Sequence, residues 1–209
     1  MNIDKIETQA TSLPTMEYFY TIQGEGFHQG RAAYFIRLGG CDVGCHWCDV
    51  KESWDLNAHP KMSINQLVTE AAQHTGRLAV ITGGEPLMHN LEALTGALHE
   101  AGFETNIETS GVCESVTGDW DWICFSPKKF KQPNPEIYQK ANELKVIILN
   151  QSDFGWAERF SGLVSDNCML YLQPEWSRTE TMLPEIITYV KNNPKWRISL
   201  QVHKFMNIP

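Results

Sequence analysis

The amino-acid sequence predicts an α/β fold, a parallel sheet curled into an incomplete TIM-type β/α barrel. Three observations carry this expectation. Short aliphatic and aromatic runs alternate with amphipathic helical segments, the pattern of a parallel sheet. The chain has 209 residues, short of the about 250 that a complete eight-unit barrel needs. The chemically unusual residues fall just after strand candidates, which in a barrel places them on one rim.

Residues 1–15 are polar, carry Asp4 and Glu7, and read as a loose extension before a barrel domain over residues 16–209. The first strand candidate is Ala32 to Leu38 (AAYFIRL). Ser63 is suited to cap a helix running to about His74, with Ile64, Leu67, Val68 and Ala71 on one face. Leu78 to Thr82 is a short apolar strand, and Leu91 to Ala101 a helix closed by Gly102. Strands are expected at Phe103 to Glu108, Trp122 to Phe125, Leu144 to Leu149, Met169 to Gln173 and Trp196 to Val202. Helices are expected at Phe154 to Phe160 and Thr181 to Val190.

The formal net charge is −8, with no basic stripe, which argues against a nucleic-acid partner. No run of about 18 apolar residues suggests a membrane span. The N-terminus lacks the basic and apolar regions of a signal peptide, so a cytoplasmic protein is expected. Of six cysteines, Cys113, Cys124 and Cys168 are scattered and read as small core residues. The other three crowd together, which in such a chain argues for metal rather than disulfides.

Those three form Cys41-x3-Cys45-x2-Cys48. Three thiolates at this spacing suit three irons of a cubane cluster, leaving one iron open. Structural zinc would want a fourth ligand nearby, for which only His46 is at hand; plain core cysteines are the third reading. Gly83-Gly84-Glu85-Pro86 follows the second strand, which ends at Thr82; paired glycines there let backbone approach a ligand or merely form a turn. Glu108-Thr109-Ser110-Gly111, Ser126-Pro127-Lys128, Gln173-Pro174 and His203-Lys204 follow later strands.

With Trp47 just before its third cysteine, the cysteine loop resembles that of the radical S-adenosylmethionine (SAM) superfamily, and Gly83 to Pro86 resembles its GGEP motif. The resemblance implies a [4Fe–4S] cluster on Cys41, Cys45 and Cys48, with SAM bound at the open iron and cleaved to a 5′-deoxyadenosyl radical. Trp47, Asp49, Gly83, Gly84, Glu85, Glu108, Ser110, Ser126, Pro127, Lys128 and Gln173 are the residues implied at the cofactor.

Two further segments narrow the resemblance. Tyr20-Thr21-Ile22-Gln23-Gly24-Glu25-Gly26 with Ala33 to Leu38, and the tail Gln201 to Pro209 (QVHKFMNIP), closely resemble the 7-carboxy-7-deazaguanine synthase (QueE) family over nearly the whole chain beyond the extension. That family converts 6-carboxy-5,6,7,8-tetrahydropterin to 7-carboxy-7-deazaguanine with loss of ammonia, in queuosine biosynthesis. The resemblance puts Ile22, Gln23, Gly24, Glu25, Arg37, Thr82, His203 and the carboxylate of Pro209 around the pterin. Arg37 would clamp its carboxylate, and His203 or Glu25 would move protons. Arg37 lies within an apolar strand, where an unpaired charge is costly, so an anion is expected beside it.

Family members commonly carry a threonine that helps hold Mg²⁺ two residues after the third cysteine. Val50 stands there and offers no ligand, so the substrate and waters would have to hold Mg²⁺, or a different group such as Lys51 would satisfy the substrate carboxylate in its place. The family also implies an electron donor such as a flavodoxin, and a homodimer. Two rivals are an activase of glycyl-radical enzymes, which would not account for the QGEG loop or the tail, and an iron–sulfur electron carrier, which normally uses four cysteines.

Overall fold

The computed structural model describes residues 11–209. Nine strands form one open sheet. They are β1 (Ser12–Ile22), β2 (Ala32–Leu38), β3 (Lys61–Ser63), β4 (Leu78–Gly83), β5 (Glu104–Thr109), β6 (Trp122–Phe125), β7 (Glu143–Ile148), β8 (Met169–Pro174) and β9 (Trp196–Ile198). The order is β3-β1-β2-β4-β5-β6-β7-β8-β9. From β2 to β9, in that order, neighbouring strands pair in parallel, as the alternation predicts, while β1 runs antiparallel to both β2 and β3.

The helices are α1 (Ile64–Ala72), α2 (Glu92–Glu100), α3 (Glu136–Lys140), α4 (Ser152–Ser161), α5 (Thr179–Asn192) and α6 (Val202–Met206). Helix α1 begins with a capping box: Gln66 N–H donates to the Ser63 hydroxyl, and Ser63 N–H donates back to the Gln66 side chain. Its buried face is Ile64, Leu67 and Ala71. Gly102, at φ +79°, stops α2 in a backbone conformation that favours glycine. Between β5 and β6 no helix intervenes, which explains the short crossover in the sequence. Strands β2, β4, β5, β7 and β8 and helices α1, α2, α4 and α5 all contribute to one continuous apolar core.

Three expectations change. Ser12 to Thr15 belong to β1 rather than to a loose extension; residues 1–10 lie outside the described residues. Leu13 and Thr15 are buried, and Leu13 pairs with Met62 of β3. Pro14 and a register break between Thr15 and Glu17 disrupt the strict alternation by which a strand is recognised. The short β3 and α3 were too brief to carry a periodic signal. The last strand ends at Ile198: Ser199 N–H still donates to Leu172 O, but the chain then crosses the rim, where Val202 N–H donates to Gly24 O and α6 begins. Tertiary hydrogen bonding overrides strand propensity there.

Among the described residues, no helix is long and apolar enough to cross a membrane.

Candidate active site

A cavity of about 600 Å³ opens at the C-terminal ends of the parallel strands. Its wall draws on the loop after β1, the cysteine loop after β2, the ends of β4, β5, β6 and β8, the middle of β7, and the chain from Gln201 to Pro209.

On one side lie Cys41, Cys45 and Cys48, all free thiols. Their loop is shaped by Gly40 (φ +103°) and Gly44 (φ +73°). It docks on the glycine pair through Glu85 N–H to Gly40 O (2.8 Å) and Gly84 N–H to Leu38 O (3.0 Å). A Cβ on Gly84 would lie 2.1 Å from Gly40 O and 2.9 Å from the Cys41 Cβ, so this glycine is needed for the close approach. Burial pushes the Cys45 thiol up to about 11 and raises Cys41 as well, against a lowering by the Lys128 ammonium at Cys45. Such thiols keep their protons until a metal displaces them. Among the described residues no three His, Cys, Asp or Glu side chains are gathered around a single-ion site; three soft thiols on one glycine-shaped loop, all lining one cavity, have instead the chemistry for a [4Fe–4S] cluster with one open iron.

Glu85 is turned inward and is 1% exposed. Its carboxylate accepts from Thr109 Oγ1 (2.5 Å), Ser110 N–H (2.8 Å), the Ser110 hydroxyl and Leu87 N–H (3.2 Å). It ties the end of β4 to the end of β5. Burial raises its pKa, and these bonds oppose the rise.

On the other side stand carboxylates held by a buried cation. Lys145 of β7, 3% exposed, donates to Glu25 Oε2 (2.6 Å) and Glu108 Oε2 (2.8 Å). Gln201 Nε2 donates to Glu25 Oε1 (2.9 Å). Burial favours the neutral form of Glu25, but the Lys145 charge and the hydrogen bonds more than offset it and lower the pKa to about 2. Burial also holds His203 below its usual value, opposed by Glu25. Arg37 Nε lies 2.7 Å from Glu17 Oε1, the anion that its place in an apolar strand requires, and the guanidinium also lines the cavity. At the mouth, Lys204 Nζ reaches Asp49 Oδ2 (3.2 Å) and sits 5.0 Å from the Trp176 ring.

Comparison with known proteins identifies the family. The family model of the radical SAM superfamily matches residues 35–123. A 7-carboxy-7-deazaguanine synthase from Flavobacterium psychrophilum is 56% identical over 197 residues, covering 94% of this chain and 93% of that protein. One from Synechocystis sp. is 46% identical over 202 residues, covering 97% and 96%. The crystal structure of QueE from Escherichia coli superposes with a TM-score of 0.79 at 32% identity, covering 90% of this chain and 93% of that one. The chain belongs to the 7-carboxy-7-deazaguanine synthase family, within the radical SAM superfamily.

The residues expected from that family largely converge. Ile22, Gln23, Gly24, Glu25, Arg37, Thr82, His203 and Pro209 all line the cavity, as do Trp47, Asp49, Gly83, Gly84, Glu85, Glu108, Ser110, Ser126, Lys128 and Gln173. Pro127 does not: it is buried between Ser126 and Lys128, and the Lys128 ammonium turns back to the Ser126 hydroxyl (2.6 Å). Val50 lines the cavity, whereas Lys51 is exposed and stands outside it. Gln23, 4% exposed, bridges the Glu108 carboxylate and the Glu25 backbone N–H. The Gln173 amide oxygen accepts from Ser199 Oγ (2.7 Å).

Lys145 and Gln201 are the residues that sequence reasoning missed. A lysine inside the apolar run Glu143–Ile148 was a readable signal, by the same reasoning that singled out Arg37. Gln201 carried none, because it was placed in a strand that ends three residues earlier.

Proposed function

We propose that this protein is a 7-carboxy-7-deazaguanine synthase that takes 6-carboxy-5,6,7,8-tetrahydropterin to 7-carboxy-7-deazaguanine with loss of ammonia. One observation carries the reading: a single cavity joins a three-cysteine loop to the Gln23–Glu25 loop and its ionised carboxylate.

Cys41, Cys45 and Cys48 would hold the [4Fe–4S] cluster, and with SAM this supplies the radical that takes a hydrogen atom from the substrate. The remaining work belongs to the protein's own side chains. Gly83 and Gly84 offer backbone at the rim to the SAM amino group, while the Glu85 carboxylate braces that rim from inside. Glu108, Ser110, Ser126 and Lys128 offer polar groups to the rest of SAM. Glu25, ionised over the working pH range, accepts from the donor-rich guanidine-like edge of the pterin. A carboxylate with so low a pKa is a weak base, so of the two groups suggested for proton movement His203 is the better suited. Arg37 is ion-paired with Glu17, and its terminal nitrogens suit the substrate carboxylate.

Mg²⁺ would rest on the substrate carboxylate and water, because Val50 carries no oxygen. A flavodoxin-type donor fits a cysteine loop whose Asp42, Gly44 and His46 are exposed. Six free thiols fit the reducing cytoplasm, and a homodimer rests on the family resemblance alone.

The test is anaerobic reconstitution followed by incubation with SAM, a reductant and 6-carboxytetrahydropterin, with products followed by mass. Appearance of 7-carboxy-7-deazaguanine is the expected result. Formation of 5′-deoxyadenosine and methionine alone would keep the superfamily chemistry and remove the pterin assignment.

A further inference from the structure

Four groups close a hydrogen-bonded ring across the cavity. Gln23 Nε2 donates to Glu108 Oε1 (3.3 Å), Lys145 Nζ donates to Glu108 Oε2 and to Glu25 Oε2, and Glu25 N–H donates to Gln23 Oε1 (3.1 Å). The ring joins the loop after β1 to β5 and β7. Lys145 is its sole cation. Each carboxylate has about four acceptor sites, and Glu25 directs one oxygen to Lys145 and the other to Gln201, with the Gln173 amide also beside it. Spare acceptor capacity therefore remains for a ligand, in a ring that carries more negative than positive charge.

We infer that Lys145 is a positioning residue for the substrate: its ammonium keeps Glu25 in place and charged as the acceptor for the pterin's guanidine-like edge, and ties that acceptor to Glu108 on the SAM side. The inference rests on the function proposed above.

The surroundings favour this over a purely structural ion pair. Glu143, on the same strand, also faces Lys145, but its carboxyl points away to Phe27 N–H (3.0 Å) and the Trp122 indole N–H (3.1 Å), and burial pushes its pKa up. Cys124 of β6 is a buried thiol that burial keeps neutral. Lys128 and His203 are the other titratable groups whose charge is felt here, and burial disfavours the charged form of both. The carboxylates that Lys145 hydrogen-bonds are the two that line the cavity. A structural ion pair needs one of them; two, both facing the ligand space, match a ligand-positioning role.

Removing the ammonium would leave two nearby carboxylates sharing a site without their cation, which favours proton uptake there at a higher pH than in the wild type. KM for 6-carboxytetrahydropterin should be level in the wild type from pH 6 to 9. In Lys145→Gln it should rise at least about tenfold near pH 6 and fall back toward the wild-type value near pH 9, with a smaller change in kcat. Lys145→Arg should restore the level profile. A Lys145→Gln variant whose KM follows the wild-type pH profile would overturn the inference, as would failure of Lys145→Arg to restore it. Carbon-13 NMR of the glutamate-labelled, oxidised holoenzyme provides a readout that needs no lysine variant. Glu25, assigned by its loss in Glu25→Gln, should not titrate above pH 4, and titration above pH 5 would overturn the inference. If the wild type neither binds nor converts the pterin, the function proposed above fails, while the NMR titration still reports on the Lys145–Glu25 pair.

Discussion

Gly24 and His203 occupy adjoining space that a side chain on Gly24 would fill. A Cβ at Gly24 would lie 2.2 Å from His203 Nδ1 and 2.8 Å from His203 Cβ. The backbone is joined at the same place, where Val202 N–H donates to Gly24 O (3.0 Å). The C-terminal segment thus reaches the cavity by lying on the loop after β1, and the imidazole is set by that contact. Gly24→Ala should displace the ring and weaken pterin binding by about tenfold or more, equivalent to about 1.4 kcal/mol, with the cluster intact. Substrate KM and the iron content of the purified protein check both parts. An unchanged KM would show that the imidazole can move without cost.

Glu85 offers a stability test. Its buried carboxylate satisfies four donors from Leu87, Thr109 and Ser110. Glu85→Ala would strand those donors in a closed site, at a cost of about 3 kcal/mol. For a chain of this size that lowers the thermal midpoint by about 10 °C. Calorimetry of the anaerobic holoprotein measures it. Ser110→Ala should cost less, because it removes one donor and strands none.

How much of this was legible in the sequence depended on the kind of signal. Cys41, Cys45 and Cys48, the Gly83–Gly84 turn and the run from Gln23 to Glu25 lie close in the chain, so their spacing could be read directly. The seven parallel strands were legible because buried parallel strands are near-continuous apolar runs, as in Leu78–Gly83. Strand β1 was not, since Pro14 and the register break interrupt its alternation. The inward turn of Glu85 and the Asp49–Lys204 contact, which spans 155 residues, depend on packing that no local pattern encodes. Lys145 sits between these cases: its burial was foreseeable from the strand around it, but its partners Glu25 and Glu108 come from distant segments.

Acid should destabilise the fold through two carboxylates. Glu158 is opposed by burial, but hydrogen bonds from Lys195 (2.6 Å), the Trp196 indole (2.8 Å) and the Tyr189 hydroxyl (2.7 Å) bring its pKa to about 2. Glu25 is likewise lowered to about 2. A carboxyl with a lower pKa in the folded state contributes stability above its unfolded value of about 4.3. That contribution is lost as pH falls through the folded value. Denaturation midpoints should therefore be insensitive to these groups above about pH 5 and drop progressively from there toward pH 2. Glu158→Gln should flatten part of the drop. A curve with the same slope in that variant would remove Glu158 from the account.

Val50 yields the last prediction. It lines the cavity next to the cysteine loop, and Cys48 is two residues away. Mg²⁺ takes hard oxygen ligands in near-octahedral geometry, and valine supplies none. The nearest acidic neighbour in the chain, Asp49, is exposed and paired with Lys204 across the mouth. Substrate carboxylate, water and the Arg37 guanidinium are then left to balance charge at this point, so activity should depend only weakly on added Mg²⁺ and survive EDTA in large part. Val50→Thr should add an oxygen ligand and make the rate depend more strongly on added Mg²⁺ than it does in the wild type. Titrating the rate of 7-carboxy-7-deazaguanine formation with Mg²⁺ in both proteins decides it. A strict Mg²⁺ requirement in the wild type would mean that the metal is held without this position, and that Arg37 does not carry the substrate carboxylate alone.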